Sequence, residues 1–317
     1  MFRKGRRRLD PASGRALTEI LSTPKFELIP VKSVDEQTAY LPSAATVSVI
    51  ASPTKTIEDT VALAAHLHEQ GFSVVPHVAA RMIADRAHLQ VVLDALGAAG
   101  ITRAFVIGGD ATEPGIYFDA LSLLRAMDEL GHPFSEIGIG CYPEGHPLIA
   151  PLDLLQALHD KAPFAAYMTT QMCFDAELVA SWIAARRNDG VTLPVHLGVP
   201  GVVEITKLVR LSARIGIGDS RRYLAKNTKL LGHLVRPGGY SPDGLLDGLG
   251  PYVADDALGI VALHLYTLNQ VEATEAWRRR YLEELRSVET GPGPAASHDD
   301  AYDHGGPETT IAEEETP

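Results

Sequence analysis

The sequence predicts one α/β domain, a closed (β/α)8 TIM barrel over residues 20–288. Eight short apolar runs alternate with stretches of helical periodicity, which is the pattern of eight strand–helix units. Several of the runs are apolar at every position, as is typical of parallel strands that are covered on both faces. No Gly-x-Gly-x-x-Gly motif follows the first run, so an open doubly wound sheet is the less favoured alternative.

The predicted strands are short and rich in Val, Ile and Leu. They span residues 26–31, 46–51, 73–78, 104–108, 137–142, 166–172, 194–199 and 260–266. Helices are predicted at 57–70, 87–99, 119–130 and 175–187, where apolar residues recur every three or four positions. Gly71, Gly100 and Gly131 mark the ends of three of these helices. The longest connection, 199–260, has room for two helices and a loop.

Charge is concentrated at the two ends of the chain, outside the predicted barrel. Residues 1–8 carry five cationic side chains, and we predict a basic N-terminal extension over 1–19. Residues 289–317 carry eight carboxylates and no Lys or Arg, which predicts a disordered acidic tail. The formal net charge of −12 and the aromatic content of 6% argue against a nucleic-acid partner.

The composition also disfavours membrane and secreted proteins. No uncharged apolar run reaches the roughly 18 residues of a membrane-spanning helix, and no apolar stretch follows the basic residues at the start. The two cysteines, Cys141 and Cys173, cannot form a disulfide framework or a four-cysteine zinc site. We therefore expect a cytoplasmic protein, and the sequence is compatible with a homo-oligomer.

In a (β/α)8 barrel the functional groups lie where the strands end. Glu27 lies within the first strand, where a buried carboxylate is either paired or used as an acid. His77 ends the third strand and is either a hydrogen-bonded core residue or part of the site. After the fourth strand, Gly108 and Gly109 would let a ligand approach the backbone beside Asp110. The alternative is an ordinary turn in which Asp110 caps a helix.

The later strand ends add further candidates. The fifth strand leads into Tyr142-Pro143-Glu144-Gly145-His146-Pro147, the most distinctive segment of the chain. At the sixth strand, Gln171 offers an amide that can pair with a heterocycle, whereas Asp175 is expected to cap the next helix. Tyr266 ends the eighth strand, where its ring can stack on a ligand or belong to the core.

Together these segments resemble methylenetetrahydrofolate reductases. The matching residues are Phe26-Glu27, Pro76-His77, Gly109-Asp110, Tyr142-Pro143-Glu144-x-His146-Pro147, Thr170-Gln171-x-x-Phe174-Asp175 and Tyr266-Thr267-Leu268-Asn269. Their order and spacing fit the family, whose fold is a (β/α)8 barrel. The resemblance implies reduction of 5,10-methylenetetrahydrofolate to 5-methyltetrahydrofolate, a reaction of one-carbon metabolism and methionine biosynthesis. The family usually relays the hydride from a reduced nicotinamide through bound FAD.

The resemblance also implies roles for individual residues. Glu27 matches the family's general acid, and Asp110 matches the carboxylate that faces the pterin. The expected substrate-binding residues are Gln171, Tyr142, Tyr266 and Phe174, and the expected cofactor-binding residues are His77, Gly108, Gly109 and His146.

Four positions depart from the family pattern. This chain has Gly108 and Ile50 where the family has Arg and Thr. It has Asp160 where the family has a Lys that meets the flavin diphosphate, and Gln270 where the family has an Arg near the folate tail. An anion in place of a cation near a diphosphate is unfavourable by Coulomb's law. These changes put FAD binding in doubt and favour direct hydride transfer from NADH or NADPH, with a flavin relay of the same reaction as the alternative.

Two other functions stay open. A metal-dependent lyase or hydrolase could gather ligands at the barrel mouth from His77, Asp110, Glu144, His146 and His264. These residues contain no His-x-His or His-Glu-x-x-His pair, and no metal ligand is assigned. The other alternative is a non-catalytic folate-binding barrel. Glu27 argues against it, because binding alone needs no proton donor.

Overall fold

The fold is a closed barrel of eight parallel strands that neighbour one another in chain order, as predicted. The computed structural model describes residues 9–31, 33–52, 54–204 and 240–289. Pairing between the first and last strands closes the barrel. The strands are β1 Lys25–Leu28, β2 Thr46–Val49, β3 Ser73–Ala79, β4 Arg103–Ile107, β5 Glu136–Cys141, β6 Tyr167–Thr170, β7 Val195–Pro200 and β8 Ile260–Tyr266.

Helices surround the barrel and follow most of the strands. They are α1 Pro11–Ser22, α2 Val34–Thr38, α3 Ile57–Glu69, α4 Arg86–Ala98, α5 Ala120–Leu130, α6 Pro151–Lys161, α7 Ala176–Asn188, α8 Asp243–Val253 and α9 Val271–Glu289. The four helices predicted from periodicity match α3, α4, α5 and α7 to within one residue at each end. None of the described helices combines the length and the apolar character that crossing a membrane requires.

The two faces of the sheet carry different side chains, because successive strand residues point to opposite sides. Phe26 and Leu28 of β1 belong to the main core between the barrel and the helices. Val75, Phe105 and Tyr167 form a separate cluster inside the barrel. Lys25 and Glu27 alternate with the outward pair on β1, which directs both charged side chains into the barrel interior.

The N-terminal boundary differs from the prediction. Residues 1–19 were expected to lie outside the barrel, but α1 packs against α8 and α9, with Leu17 and Leu21 fully buried. The close contact depends on Gly250 of α8, where a Cβ atom would lie 2.9 Å from Cδ2 of Leu9. The signal for this helix is present in the sequence, since Asp10 caps its start and Pro11 takes its first position.

Parts of three predictions lie outside the described residues. These are the basic run at 1–8, the acidic tail from residue 290 onward and the segment 205–239. Of the two helices expected between residues 199 and 260, the described part contains α8.

Candidate active site

Glu27 and His264 meet inside the barrel, at the junction of β1 and β8. The register pairs Glu27 with Tyr266 and Lys25 with His264, which brings the Glu27 carboxyl alongside the imidazole. His264 Nε2 lies 3.1 Å from Glu27 Oε2. The Glu27 side chain is 11% exposed and the His264 side chain is 2% exposed. Burial raises the pKa of Glu27 to about 7, against an opposing effect of His77. Near neutral pH, Glu27 can therefore hold a proton and release it.

His264 stays uncharged beside this carboxyl. Burial lowers the pKa of His264 well below its ordinary value, and the nearby Lys25 lowers it further. The contact with Glu27 is therefore a hydrogen bond between a carboxyl group and a neutral imidazole, rather than an ion pair. Sequence reasoning considered His264 only as a metal ligand. Its spacing of two residues from Tyr266 on one strand is the signal that both side chains share a face.

His77 lies in the same interior layer, on β3. Its Nε2 is 2.9 Å from Oγ of Ser48 on β2, and its ring centroid is 4.8 Å from that of Phe105. Burial lowers the pKa of His77 to about 4, so the ring is neutral at physiological pH. The structure thus places this expected cofactor-binding residue in a buried, hydrogen-bonded position. From there His77 interacts electrostatically with Glu27 and acts to lower the pKa of its carboxyl.

Lys25 lies one layer deeper in the barrel than Glu27. Its Nζ is 2.6 Å from Tyr167 Oη, and the Tyr167 ring stacks on His196 with the centroids 3.9 Å apart. Burial lowers the pKa of Lys25 to about 7. Sequence reasoning assigned no role to these three residues, which sit beneath the expected site.

The segment after β4 brings Asp110 to the barrel mouth. Gly109 has φ of +84°, and a Cβ atom there would lie 2.8 Å from Cβ of Ala79. A glycine is therefore required for both conformation and space. Asp110 itself is exposed. It interacts electrostatically with Tyr142 and His146 of the next strand end, so the structure brings these three predicted site residues together.

Tyr142 and His146 form the far side of this group. Their rings meet edge to face with centroids 5.2 Å apart, across a turn in which Gly145 N donates to Tyr142 O. Burial raises the pKa of Tyr142 and lowers that of His146, while Asp110 acts to raise both. Tyr142 therefore remains a neutral phenol that can pack against a ring and donate a hydrogen bond.

The segment after β6 is more self-contained than the sequence predicted. Gln171 Oε1 accepts a hydrogen bond from Met172 N at 2.8 Å, which leaves the Nε2 group of Gln171 as the part that can contact a ligand. Phe174, an expected substrate-binding residue, is only 5% exposed and packs edge to face on Tyr240. Asp175 caps α7 by accepting from Glu177 N and Leu178 N, as predicted.

Tyr266 and the residues after it connect β8 to its neighbours. The Tyr266 hydroxyl donates to Thr170 O at 2.9 Å, and its ring meets His264 with centroids 4.9 Å apart. Thr267 Oγ1 donates to the backbone O of Glu27 at 2.5 Å. The Asn269 side chain accepts from Ile29 N and donates to Ile29 O, both at 2.9 Å. These bonds fix the backbone around Glu27, a role that the sequence did not reveal.

A cavity of about 560 Å³ lies between the segments that follow β2, β3 and β4. Lys55 and Arg81 contribute the positive charges of its lining, and Glu58 and Glu113 contribute negative ones. Arg81 is held in place, because its backbone N donates to Gly108 O and its Nε donates to Ala111 O, each at 2.9 Å. The outer guanidinium nitrogens can thus bind an anionic group next to the Gly108–Gly109 turn.

The residues considered for the alternative metal site do not converge in the described part of the chain. Across the described ranges, no group of three or more His, Cys, Asp or Glu side chains is close enough to hold a metal ion. His77 and His264 instead form hydrogen bonds inside the barrel, whereas Asp110 and His146 lie at its mouth. The structure therefore gives no support to the metal-dependent lyase or hydrolase.

Comparison with known families shows which family the chain belongs to. A family model described as methylenetetrahydrofolate reductase matches residues 24–218. The chain belongs to the methylenetetrahydrofolate reductase family. This family membership supports a folate-related oxidoreductase, and the matched region contains Glu27, Asp110 and the Tyr142–His146 turn.

Solved structures resemble this reductase-family chain at low sequence identity. Oxaloacetate acetylhydrolase in complex with the inhibitor 3,3-difluorooxalacetate is 12% identical over 90% of each chain, with a TM-score of 0.46. A "putative phosphonomutase" from Burkholderia cenocepacia J2315 is 11% identical over 88% of this chain and 97% of its own, with a TM-score of 0.43. These likenesses are too weak to bear on function.

The structure shows the surroundings of positions where this chain departs from the pattern of the flavin-binding reductases. Asp160, where the family has a diphosphate-binding Lys, is a partly exposed residue whose carboxylate accepts from Gln156 at 2.8 Å. Burial lowers the pKa of the adjacent Lys161, which disfavours its charged form. A Cβ atom at Gly108 would meet no atom within 4 Å, so open space replaces the family's Arg. An FAD diphosphate would thus meet an added carboxylate and lack a guanidinium.

Proposed function

We propose that this protein reduces 5,10-methylenetetrahydrofolate to 5-methyltetrahydrofolate with NADH or NADPH, and that the hydride passes directly from nicotinamide to folate. The observation that carries the proposal is Glu27, a buried carboxyl inside the barrel mouth with a pKa of about 7. A site that only binds folate has no use for a proton donor there, whereas this reduction consumes one proton per turnover.

Glu27 has the central role in the proposed chemistry. It donates its proton to N10 of the folate, and the bond between N10 and the methylene carbon breaks. The remaining N5 iminium accepts hydride at the methylene carbon, which gives the methyl group and oxidised nicotinamide. Asp110 is the negative charge at the mouth that would favour the cationic iminium. Solvent then returns a proton to Glu27.

Side chains around the mouth are suited to hold a pterin ring. Gln171 keeps its amide Nε2 group available as a donor, because its oxygen is bound to Met172 N. Tyr142 and Tyr266 supply aromatic edges from β5 and β8. His146 flanks Tyr142 on the side of Asp110. His77 is a neutral ring beneath this layer and would limit how deep the bound rings reach.

The hydride donor would enter from the side of β2 to β4. The cavity lined by Lys55 and Arg81 can take the diphosphate of a nicotinamide nucleotide. Gly108 leaves the backbone beside it open to close approach, since no atom lies within 4 Å of where its Cβ would be. The nicotinamide would then lie against the folate, the arrangement that direct transfer requires.

The proposal is tested by spectroscopy and turnover together. The purified protein should lack flavin absorbance, and it should oxidise NADH or NADPH only when methylenetetrahydrofolate is present. Added FAD should not change the rate. Glu27→Gln should retain folate binding while turnover falls by a factor on the order of 10² or more, because the amide cannot donate the proton.

Three results would contradict parts of the proposal. A yellow protein, or activity that requires added FAD, would favour the flavin relay. Folate binding without turnover at any flavin concentration would favour the non-catalytic barrel. Near-normal turnover by Glu27→Gln would remove Glu27 as the acid.

A further inference from the structure

We propose that His264 is the positioning residue for Glu27: its Nε2–H holds Glu27 Oε2, so that Oε1 is the atom that carries and delivers the proton. The inference rests on the proposed function for the identity of the reaction. The contact itself joins residues 237 positions apart across the closing seam of the barrel, and no motif of the sequence analysis includes it.

The hydrogen position on His264 follows from what surrounds the ring. His264 Nδ1 is buried and has no hydrogen-bond partner in the described part of the chain. A buried N–H without an acceptor is rarer and more costly than a buried lone pair without a donor. The neutral ring therefore carries its hydrogen on Nε2, the atom that lies 3.1 Å from Glu27 Oε2.

This tautomer has a consequence for the carboxyl. Oε2 accepts a hydrogen bond whether Glu27 is protonated or ionised, so the acidic hydrogen is carried on Oε1. After Oε1 gives up its proton, the same N–H stabilises the new carboxylate. The bond thus fixes the orientation of the acid before transfer and strengthens as charge develops.

The other groups that face this pair do not replace His264. On β1, Lys25 lies opposite His264 and helps keep the ring neutral. On β3, His77 acts on Glu27 electrostatically but is hydrogen-bonded to Ser48. On β8, Tyr266 uses its hydroxyl on the backbone of β6.

His196 of β7 provides a matched control. It is also a neutral interior histidine with an unpartnered buried Nδ1, and burial lowers its pKa to about 2. It stacks on Tyr167 rather than contacting a carboxyl. A change at His196 therefore perturbs the barrel interior without removing a bond to Glu27.

The test follows the titration of Glu27 by infrared spectroscopy, which needs no substrate. The carbonyl stretch of the protonated carboxyl is identified by its loss in Glu27→Gln. In His264→Leu the midpoint should rise by about one to two pH units, because the carboxylate loses a hydrogen bond. In His264→Gln, whose amide nitrogen can occupy the place of Nε2, the midpoint should stay near that of the wild type. His196→Leu should leave it unchanged.

Kinetics then separate positioning from general damage. His264→Leu should lower kcat at least tenfold with little change in the KM for folate, and its pH profile should move in the same direction as the infrared midpoint. His264→Gln should recover most of kcat. If His264→Leu does not fold, His264→Asn removes the donor at Nε2 while keeping a polar side chain.

Two results would overturn the inference. One is an unchanged infrared midpoint in His264→Leu or His264→Asn. The other is an equal shift in His196→Leu. If His264→Leu shows the infrared shift but the wild-type protein does not turn over folate, the proposed function is contradicted instead, so the two failures are distinguishable.

Discussion

Glu27→Gln should make the protein more stable relative to wild type as the pH rises. Burial raises the pKa of Glu27 from the ordinary 4.5 to about 7, so the folded state favours the protonated form. Between these two values the unfolded chain has lost the proton and the folded chain retains it, and wild-type stability falls with rising pH. Gln resembles the protonated carboxyl and does not titrate.

The magnitude follows from the same pair of values. The difference between 4.5 and about 7 corresponds to about 3 kcal/mol at most. The gap in unfolding free energy between Glu27→Gln and wild type should therefore widen by about 2–3 kcal/mol from pH 5 to pH 8. Because the gap is a difference between two proteins, the titration of all other groups largely cancels.

Urea denaturation of both proteins at pH 5 and pH 8 measures the gap. Asp10→Asn is the control, since Asp10 is exposed and its hydrogen bonds with Ser13 lower its pKa. Its titration falls below pH 4.5, so its gap should not change over the same range. A constant gap for Glu27→Gln would refute the claim that the fold holds this carboxyl protonated at neutral pH.

Three further changes test other parts of the site. Gly109→Ala should lower the free energy of unfolding by roughly 1–3 kcal/mol in urea titrations and reduce turnover. Gly108→Ala, at a position with open space, should leave the free energy of unfolding nearly unchanged. Equal effects of the two changes on stability would refute the geometric argument. Asn269→Ala should destabilise by about 1–3 kcal/mol because it leaves both polar groups of the Ile29 backbone without their partner, and an unchanged urea midpoint would contradict this. Arg81→Gln should raise the KM for NADH or NADPH about tenfold without changing the KM for folate. Arg86→Gln, which removes a surface ion pair with Glu129, should leave both KM values unchanged. An unchanged KM for the nucleotide in Arg81→Gln would show that the cavity is not part of the nucleotide site.

The barrel was predictable because each strand can be recognised from its own local sequence. Apolar runs such as 104–108 and 137–142 are short, uninterrupted and followed by helical periodicity, so the number and order of the runs sufficed for the topology. Helix α1 was missed because a basic run precedes it and its apolar residues are few. Its cap at Asp10 and Pro11 was the usable signal.

The site was predictable only where residues are close in sequence. The Tyr142–His146 turn is such a case, and the structure brings it next to Asp110. The partner of Glu27 could not be found in this way, because His264 reaches it only through closure of the barrel. Likewise, Phe174 matched a motif but is packed on Tyr240, a contact that depends on tertiary structure.

Isotope tracing tests direct hydride transfer most closely. The protein, without added flavin, would be given methylenetetrahydrofolate and NADH or NADPH carrying two deuteriums at C4 of the nicotinamide, in ordinary water. Direct transfer predicts one deuterium in the methyl group of every 5-methyltetrahydrofolate formed, as read by mass spectrometry. A methyl group without deuterium would contradict direct transfer. In a flavin relay the transferred hydrogen is first bound to a flavin nitrogen, where it exchanges with water before it reaches the methyl group.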